Sequence, residues 1–202
     1  MQELKLTAKN YVQVLQAALE VVRGGGTIVY PTETSYGLGA DYYNSRAVKK
    51  IYLIKRREAR QPLPVLISDL VSASSLVEFT EKSRRLAAKY WPGPLTLILP
   101  FSHQKWQKHF DKYLALRVSS HPFASSLTIN LGHPLVATSA NISGQGDCYT
   151  PTEVRRQFKG QKYQPDLFIN GGTLPRRRPT SIVKCDADKY EIVRQGELKI
   201  KI

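Results

Sequence analysis

Sulfur, acidic side chains and long apolar runs are all scarce in this sequence, and each scarcity closes off a class of protein. The two cysteines, Cys148 and Cys185, stand far apart without a CxxC spacing. They suggest neither a disulfide framework nor a zinc knuckle, and a reducing cytoplasm is the expected setting. No apolar stretch approaches the roughly 20 residues of a bilayer-spanning helix, and the opening MQELKLTAKN lacks an apolar signal core. No membrane role is therefore expected. Four histidines, His103, His109, His121 and His133, make no metal spacing such as HExxH and receive no role. A GxxxxGK[ST] phosphate loop, a GxSxG nucleophile elbow and a complete GxGxxG are missing as well, since GLGAD breaks off after its second glycine.

What the chain has in excess is positive charge. Its 30 Lys and Arg against 16 Asp and Glu give a formal charge of +14, which attracts anions: nucleic acid or a nucleotide before an anionic membrane surface. A length of 202 residues with 42% apolar content suffices for one packed core, so one soluble domain over residues 1–202 is expected.

Apolar spacing at Val12, Leu15, Leu19 and Val22 predicts a first helix, stopped by Gly24, Gly25 and Gly26 in a left-handed cap. Asn44 is placed to cap a second helix carrying Val48, Ile51 and Tyr52, and another helix begins after Thr80. In TPTE, Thr150 caps, Pro151 takes the first helical position and Glu153 completes a capping box. TIVY, PVLIS, LTLIL, LALRV, PLVAT, LFIN, SIVK and EIVR read as extended runs. They predict an open mixed sheet of about seven strands, flanked by helices in an α/β (α+β) arrangement.

Three stretches draw attention. IVYPTETSYGLGAD, from Ile28 to Asp41, is read as a strand end followed by a loop. There Thr32, Thr34 and Ser35 offer hydroxyls, and Gly37 and Gly39 allow close approach to a ligand. An ordinary loop of turn-forming residues is the equal alternative. In IKRREARQPLPVLI, Lys55 and Arg57 are expected to share one face of extended chain roughly 6 to 7 Å apart, within reach of neighbouring phosphates. On its own this pair is better explained as cations offsetting a helix dipole. VATSANISG places Ser139, Asn141, Ser143 and Gly144 at a strand end, where hydroxyl, amide and backbone N–H groups can cradle phosphate or ribose oxygens.

Taken together, YPTETSYGLGAD, KRREARQP, WPGPLTLIL, LRVSSHP, TSANISG, INGG and IVRQGE occur in an order that resembles the YrdC-type domain of threonylcarbamoyl-AMP synthases, in its single-domain form. The resemblance runs from about Leu15 to Glu197. It implies a nucleotidyltransferase that makes L-threonylcarbamoyladenylate and pyrophosphate from L-threonine, bicarbonate and ATP, for the tRNA modification threonylcarbamoyladenosine. Magnesium would arrive with ATP, no tightly bound organic cofactor is implied, and a separate complex would transfer the group to tRNA.

Carried onto this sequence, the resemblance puts L-threonine on Thr34, Arg117 and Thr180. It puts ATP on Lys55, Arg57, Ser139, Asn141 and Arg194, with Lys55 and Arg57 acting electrostatically in catalysis. Two departures stand out. Gln61 precedes Pro62 where the family often has lysine, with Arg60 as the neighbouring cation, and Thr180-Ser181 inverts the family's Ser-Thr order. Arg176, Arg177 and Arg178 add a basic loop that could meet tRNA or pyrophosphate or simply be solvated. The competing readings are a YrdC-like RNA-binding protein without synthase activity, and a carbamoyl-transfer role like that of hydrogenase maturation proteins. The zinc motifs and accessory domains that accompany the latter are not seen here.

Overall fold

A computed structural model of the chain describes residues 1–58, 62–103, 112–187 and 189–200. A short strand, β1 (Gln2–Lys5), precedes helix α1 (Tyr11–Arg23), which buries Val14, Leu15, Ala18, Leu19 and Val22. That buried stripe is centred between Leu15 and Ala18 and leaves Val12 on its flank, 63% exposed rather than buried as its spacing suggested. The helix stops where the glycines predict: the Gly24 N–H donates to Glu20 O at 2.9 Å, and Gly25 turns left-handed at φ +80°. A Cβ at Gly25 would lie 2.7 Å from Asn44 Nδ2, so the turn also needs the missing side chain.

Strands β2 (Thr27–Pro31) and β3 (Tyr36–Asp41) form an antiparallel hairpin. The expected long loop after Pro31 is thereby corrected to residues 32–35 alone. The register explains the difference, because Gly37 faces Tyr30 and Gly39 faces Ile28 across the hairpin. The glycines make room for the Tyr30 ring within a strand instead of marking a turn.

Helix α2 (Ser45–Lys55) is capped by Asn44, whose Oδ1 accepts from the Arg46 and Ala47 N–H groups at 3.1 Å. The helix buries Ala47, Val48, Ile51, Tyr52 and Ile54. There follow β4 (Val65–Leu66), α3 (Leu70–Ser74), α4 (Glu81–Tyr90), β5 (Leu95–Pro100), β6 (Tyr113–Arg117), α5 (Pro122–Leu131), β7 (Leu135–Ser139), α6 (Pro151–Phe158), β8 (Leu167–Asn170), β9 (Ser181–Asp186) and β10 (Lys189–Arg194). Thr80 caps α4, and the Thr150–Glu153 capping box opens α6 behind Pro151.

The described strands make one sheet of ten, ordered β1-β8-β2-β3-β7-β4-β6-β5-β9-β10, with parallel and antiparallel neighbours. The count exceeds the expected seven chiefly through β1 and β3, whereas the run PVLIS contributes only Val65–Leu66. Helices α1 and α5 pack on part of one face, enclosing Ile28, Tyr30, Leu66, Leu135, Leu167 and Ile169 with Phe123 and Leu127. A larger apolar cluster on the other side takes Leu95, Leu97 and Leu99 of β5, Leu114 and Leu116 of β6, and Val183 and Cys185 of β9. The period of two then sends Thr96, Ile98, Ala115, Arg117 and Ile182 towards a cavity on the first face, beside the two helices. Among the described residues, no helix is long and apolar enough to cross a membrane.

Candidate active site

The cavity has a volume of about 510 Å³ and is open to solvent. Its walls come from the β2–β3 hairpin, the ends of β7 and β6, the middle of β5 and the segment around Thr180 and Arg194. Six of the eight residues expected at threonine or ATP line it, Thr34, Arg57, Arg117, Ser139, Thr180 and Arg194, together with Thr32, Ser35 and Gly37 of the hairpin. Residues separated by more than a hundred positions thus meet because β3, β7, β4, β6, β5 and β9 are successive neighbours in the sheet.

Each side chain is held by local structure. In the hairpin loop, Thr32 Oγ1 donates to Ser35 O at 2.6 Å and accepts from the Thr34 and Ser35 N–H groups, at 3.2 and 3.3 Å. This wiring leaves Thr34 at the cavity wall, its Oγ1 3.2 Å from that of Thr32. On the opposite wall Thr180 Oγ1 lies 2.9 Å from Thr96 Oγ1. Arg194 donates to Thr180 through Nε to the carbonyl, 2.9 Å, and through Nη2 to Oγ1, 3.1 Å. Ser181, the other hydroxyl of the inverted pair, is fully buried and bonds Gly196, Leu198 and no cavity group. Thr180 is therefore the hydroxyl that faces the cavity.

Lys55 and Arg57 do not share a face of extended chain. Lys55 is the last residue of α2, and Arg56 adopts a left-handed conformation, φ 51°, that turns the chain sharply. Arg57 then lines the cavity, donating to Pro62 O at 3.2 Å, and among the described residues its buried Nε has no partner. Lys55 is 3% exposed and inserts behind the wall. Its Nζ donates to Ser139 O at 2.8 Å and to Asn141 O and Oδ1 at 2.9 Å, while Ser139 Oγ donates to the same Oδ1 at 2.7 Å. Burial and the neighbouring Arg57 pull its pKa down to about 8. Lys55 and Asn141 are not lining residues; they hold Ser139 at the end of β7. Arg117, by contrast, lines the cavity and is paired with Glu33.

Sequence reading passed over Tyr30, Thr96, Asp147 and Glu33. Tyr30 is fully buried and lines the cavity, its hydroxyl has no partner among the described residues, and burial pushes its phenol pKa up. Among the described residues Asp147 is the one carboxylate of the lining. Glu33 lay in plain view inside YPTETSYG, but its partners are distant in sequence and carry no local signal. None of Arg176, Arg177 and Arg178 lines the cavity; Arg176 pairs with Glu153 at 2.7 Å. Arg60, Gln61 and His109 lie outside the described residues. His121 has a structural task, its Nδ1 accepting from Phe123 N–H at 3.2 Å at the start of α5.

Against known proteins, the family model Sua5/YciO/YrdC, described as "Telomere recombination", matches residues 20–196. The chain belongs to the Sua5/YciO/YrdC family. Among the relatives of this family member, a protein of Photorhabdus laumondii named threonylcarbamoyl-AMP synthase is 34% identical over 186 residues, 90% of this chain and 95% of the relative. One of the same name from Nitrosococcus oceani is 36% identical, over 83% of this chain and 91% of its own. Among solved structures, P. abyssi Sua5 complexed with L-threonine superposes with a TM-score of 0.85 at 29% identity. The match covers 96% of this chain and 57% of that longer one. This Sua5/YciO/YrdC protein thus spans little more than half of Sua5 but nearly all of the bacterial synthases.

Proposed function

We propose that the protein is a threonylcarbamoyl-AMP synthase, forming L-threonylcarbamoyladenylate and pyrophosphate from L-threonine, bicarbonate and ATP. The observation that carries this is the convergence of Thr34, Arg117 and Thr180 with Arg57, Ser139 and Arg194 on one cavity. The relatives' shared name supports the reaction.

The chemistry brings anions together, so positioning and electrostatics dominate. The amine of threonine attacks the carbon of bicarbonate, and loss of water gives the carbamate. A carbamate oxygen then attacks the α-phosphorus of ATP, and the bond to the β-phosphate breaks with release of pyrophosphate. Arg117 offers a planar fork to the threonine carboxylate, and Thr34 and Thr180 bracket its polar groups. Arg57 and Arg194 face the phosphates and stabilise the charge that develops on the leaving pyrophosphate. Lys55 and Asn141 hold the end of β7 so that Ser139 stays in the cavity wall. No protein nucleophile enters.

Magnesium fits as a companion of ATP. Ser139 and Asp147 supply hard oxygen donors in the lining, and magnesium is commonly held by one or two protein oxygens plus substrate phosphates. Bound there, it would offset phosphate charge. The adenylate product would pass to a separate transfer complex that modifies tRNA, and the net charge of +14 would favour an encounter with RNA.

The test is pyrophosphate release from ATP with magnesium, with threonine and bicarbonate supplied singly and together. Release that requires both is expected. Tight, salt-dependent RNA binding without any such release would favour the RNA-binding alternative instead.

A further inference from the structure

Glu33 stands between two residues that line the cavity, Thr32 and Thr34, yet is not itself part of the lining. Its side chain is 7% exposed. Both carboxylate oxygens are occupied: Oε1 accepts from Arg117 Nη1, and Oε2 accepts from Ser119 Oγ at 2.6 Å. The Ser119 hydroxyl also accepts from His121 N–H at 3.2 Å, at the start of α5. One carboxylate therefore ties the hairpin loop to the end of β6 and to the helix after it.

The consequence falls on Arg117. A guanidinium has five N–H donors in a rigid plane, and fixing one edge fixes the direction of the rest. Among the described residues the Arg117 side chain makes no other hydrogen bond, so its remaining donors are left for a ligand in the cavity it lines. Charge points the same way. Among the described residues Arg57, Arg117 and Arg194 line the cavity against Asp147 alone, and a carboxylate bonded to Arg117 outside the lining offsets part of their mutual repulsion.

We propose that Glu33 is the positioning residue for recognition of the amino-acid carboxylate, acting through Arg117 and anchored by Ser119. This rests on the assignment of Arg117 to the carboxylate of threonine. Glu33 sets the affinity for the amino acid and leaves the affinity for ATP alone, because the hydrogen bonds of Arg57 and Arg194 go to Pro62 and Thr180 and not to Glu33.

Calorimetric titration of L-threonine and, separately, of magnesium-ATP tests this on wild type, Glu33→Ala, Glu33→Gln and Ser119→Ala, each checked for folding by circular dichroism. Glu33→Ala should weaken threonine about ten-fold or more, the order of a lost charge-assisted contact, with ATP affinity unchanged. Glu33→Gln keeps both the reach and an acceptor for Arg117, and should stay within about three-fold of wild type. Ser119→Ala removes one anchor without touching charge and should give a partial loss, which keeps the proposal testable if Glu33→Ala does not fold. Wild-type threonine affinity in folded Glu33→Ala or in Ser119→Ala, or equal losses for threonine and ATP, would overturn it. Wild type that binds no threonine at all would instead remove the assignment of Arg117 on which the proposal stands.

Discussion

Lys55 shows how far a residue's task can differ from the one its neighbours in sequence suggest. Its ammonium has three acceptors, one on the last residue of β7 and two on Asn141 just beyond it, and does not line the cavity. Lys55→Ala would take one donor from each of those buried acceptors, leaving Ser139 O with the Asn141 N–H and Asn141 Oδ1 with the Ser139 hydroxyl, costing about 1–3 kcal/mol of stability and lowering turnover on the order of 10²-fold through a displaced Ser139. Chemical denaturation and steady-state rates measure the two separately. The pKa lowered from 10.5 to about 8 adds a pH prediction. Between those values the folded protein binds fewer protons than the unfolded chain. The penalty that Lys55 imposes on stability is thus complete below pH 8 and relieved as pH rises towards 10.5. Activity should move the opposite way, falling as pH rises through about 8, because the neutral amine cannot make all three bonds. A flat profile across that range would reject the role. Arg117→Ala should raise the KM for threonine by about ten-fold or more while leaving that for ATP within about two-fold, and equal changes in both would reject its assignment. At this scale the sequence was informative wherever a motif kept its residues together, as in Lys55, Arg57, Ser139 and Asn141. It was silent on which of them faces the cavity and on the clamp between Glu33 and Ser119, since both depend on strands brought together from far apart.

Among the elements, helices were the most legible. Asn44, Thr80 and Thr150 cap where hydroxyl or amide residues precede apolar periodicity, because capping is local chemistry. Strands β1 and β3 were not legible. β1 is polar and only partly covered, held beside β8 with Glu3 bonded to Arg155 and Asn170, while β3 carries the glycines that ordinarily signal turns. Those glycines make a stability prediction. A Cβ at Gly39 would lie 2.8 Å from both Val136 O and Tyr30 Cε1, so Gly39→Ala must push either the backbone of β7 or a buried ring. A loss of about 1–3 kcal/mol is expected in denaturant titrations, together with weaker threonine binding as the hairpin shifts. Unchanged stability would mean that β3 can flex away from β7, against the continuous ladder between them.

For the whole molecule, the mixed sheet follows from the alternation of short apolar runs and capped helices, but the order of its strands does not, and the cavity is a product of that order. Arg57 from the α2 terminus, Arg117 from β6 and Arg194 from β10 become neighbours only through the sheet. Three guanidiniums in a chain of net charge +14 predict that ATP binding weakens with salt, and more steeply than binding of the zwitterionic amino acid. Titrations at increasing potassium chloride check this, and parallel slopes for the two ligands would count against separate ends of one cavity. The most direct measurement is mass detection of the nucleotide product formed from ATP, L-threonine and heavy-carbon bicarbonate with magnesium. A threonylcarbamoyladenylate carrying the heavy carbon, formed only when all three substrates are present, is the predicted result. Folded protein that binds ATP and threonine yet yields no such adduct would contradict the assignment of this cavity as a synthase active site.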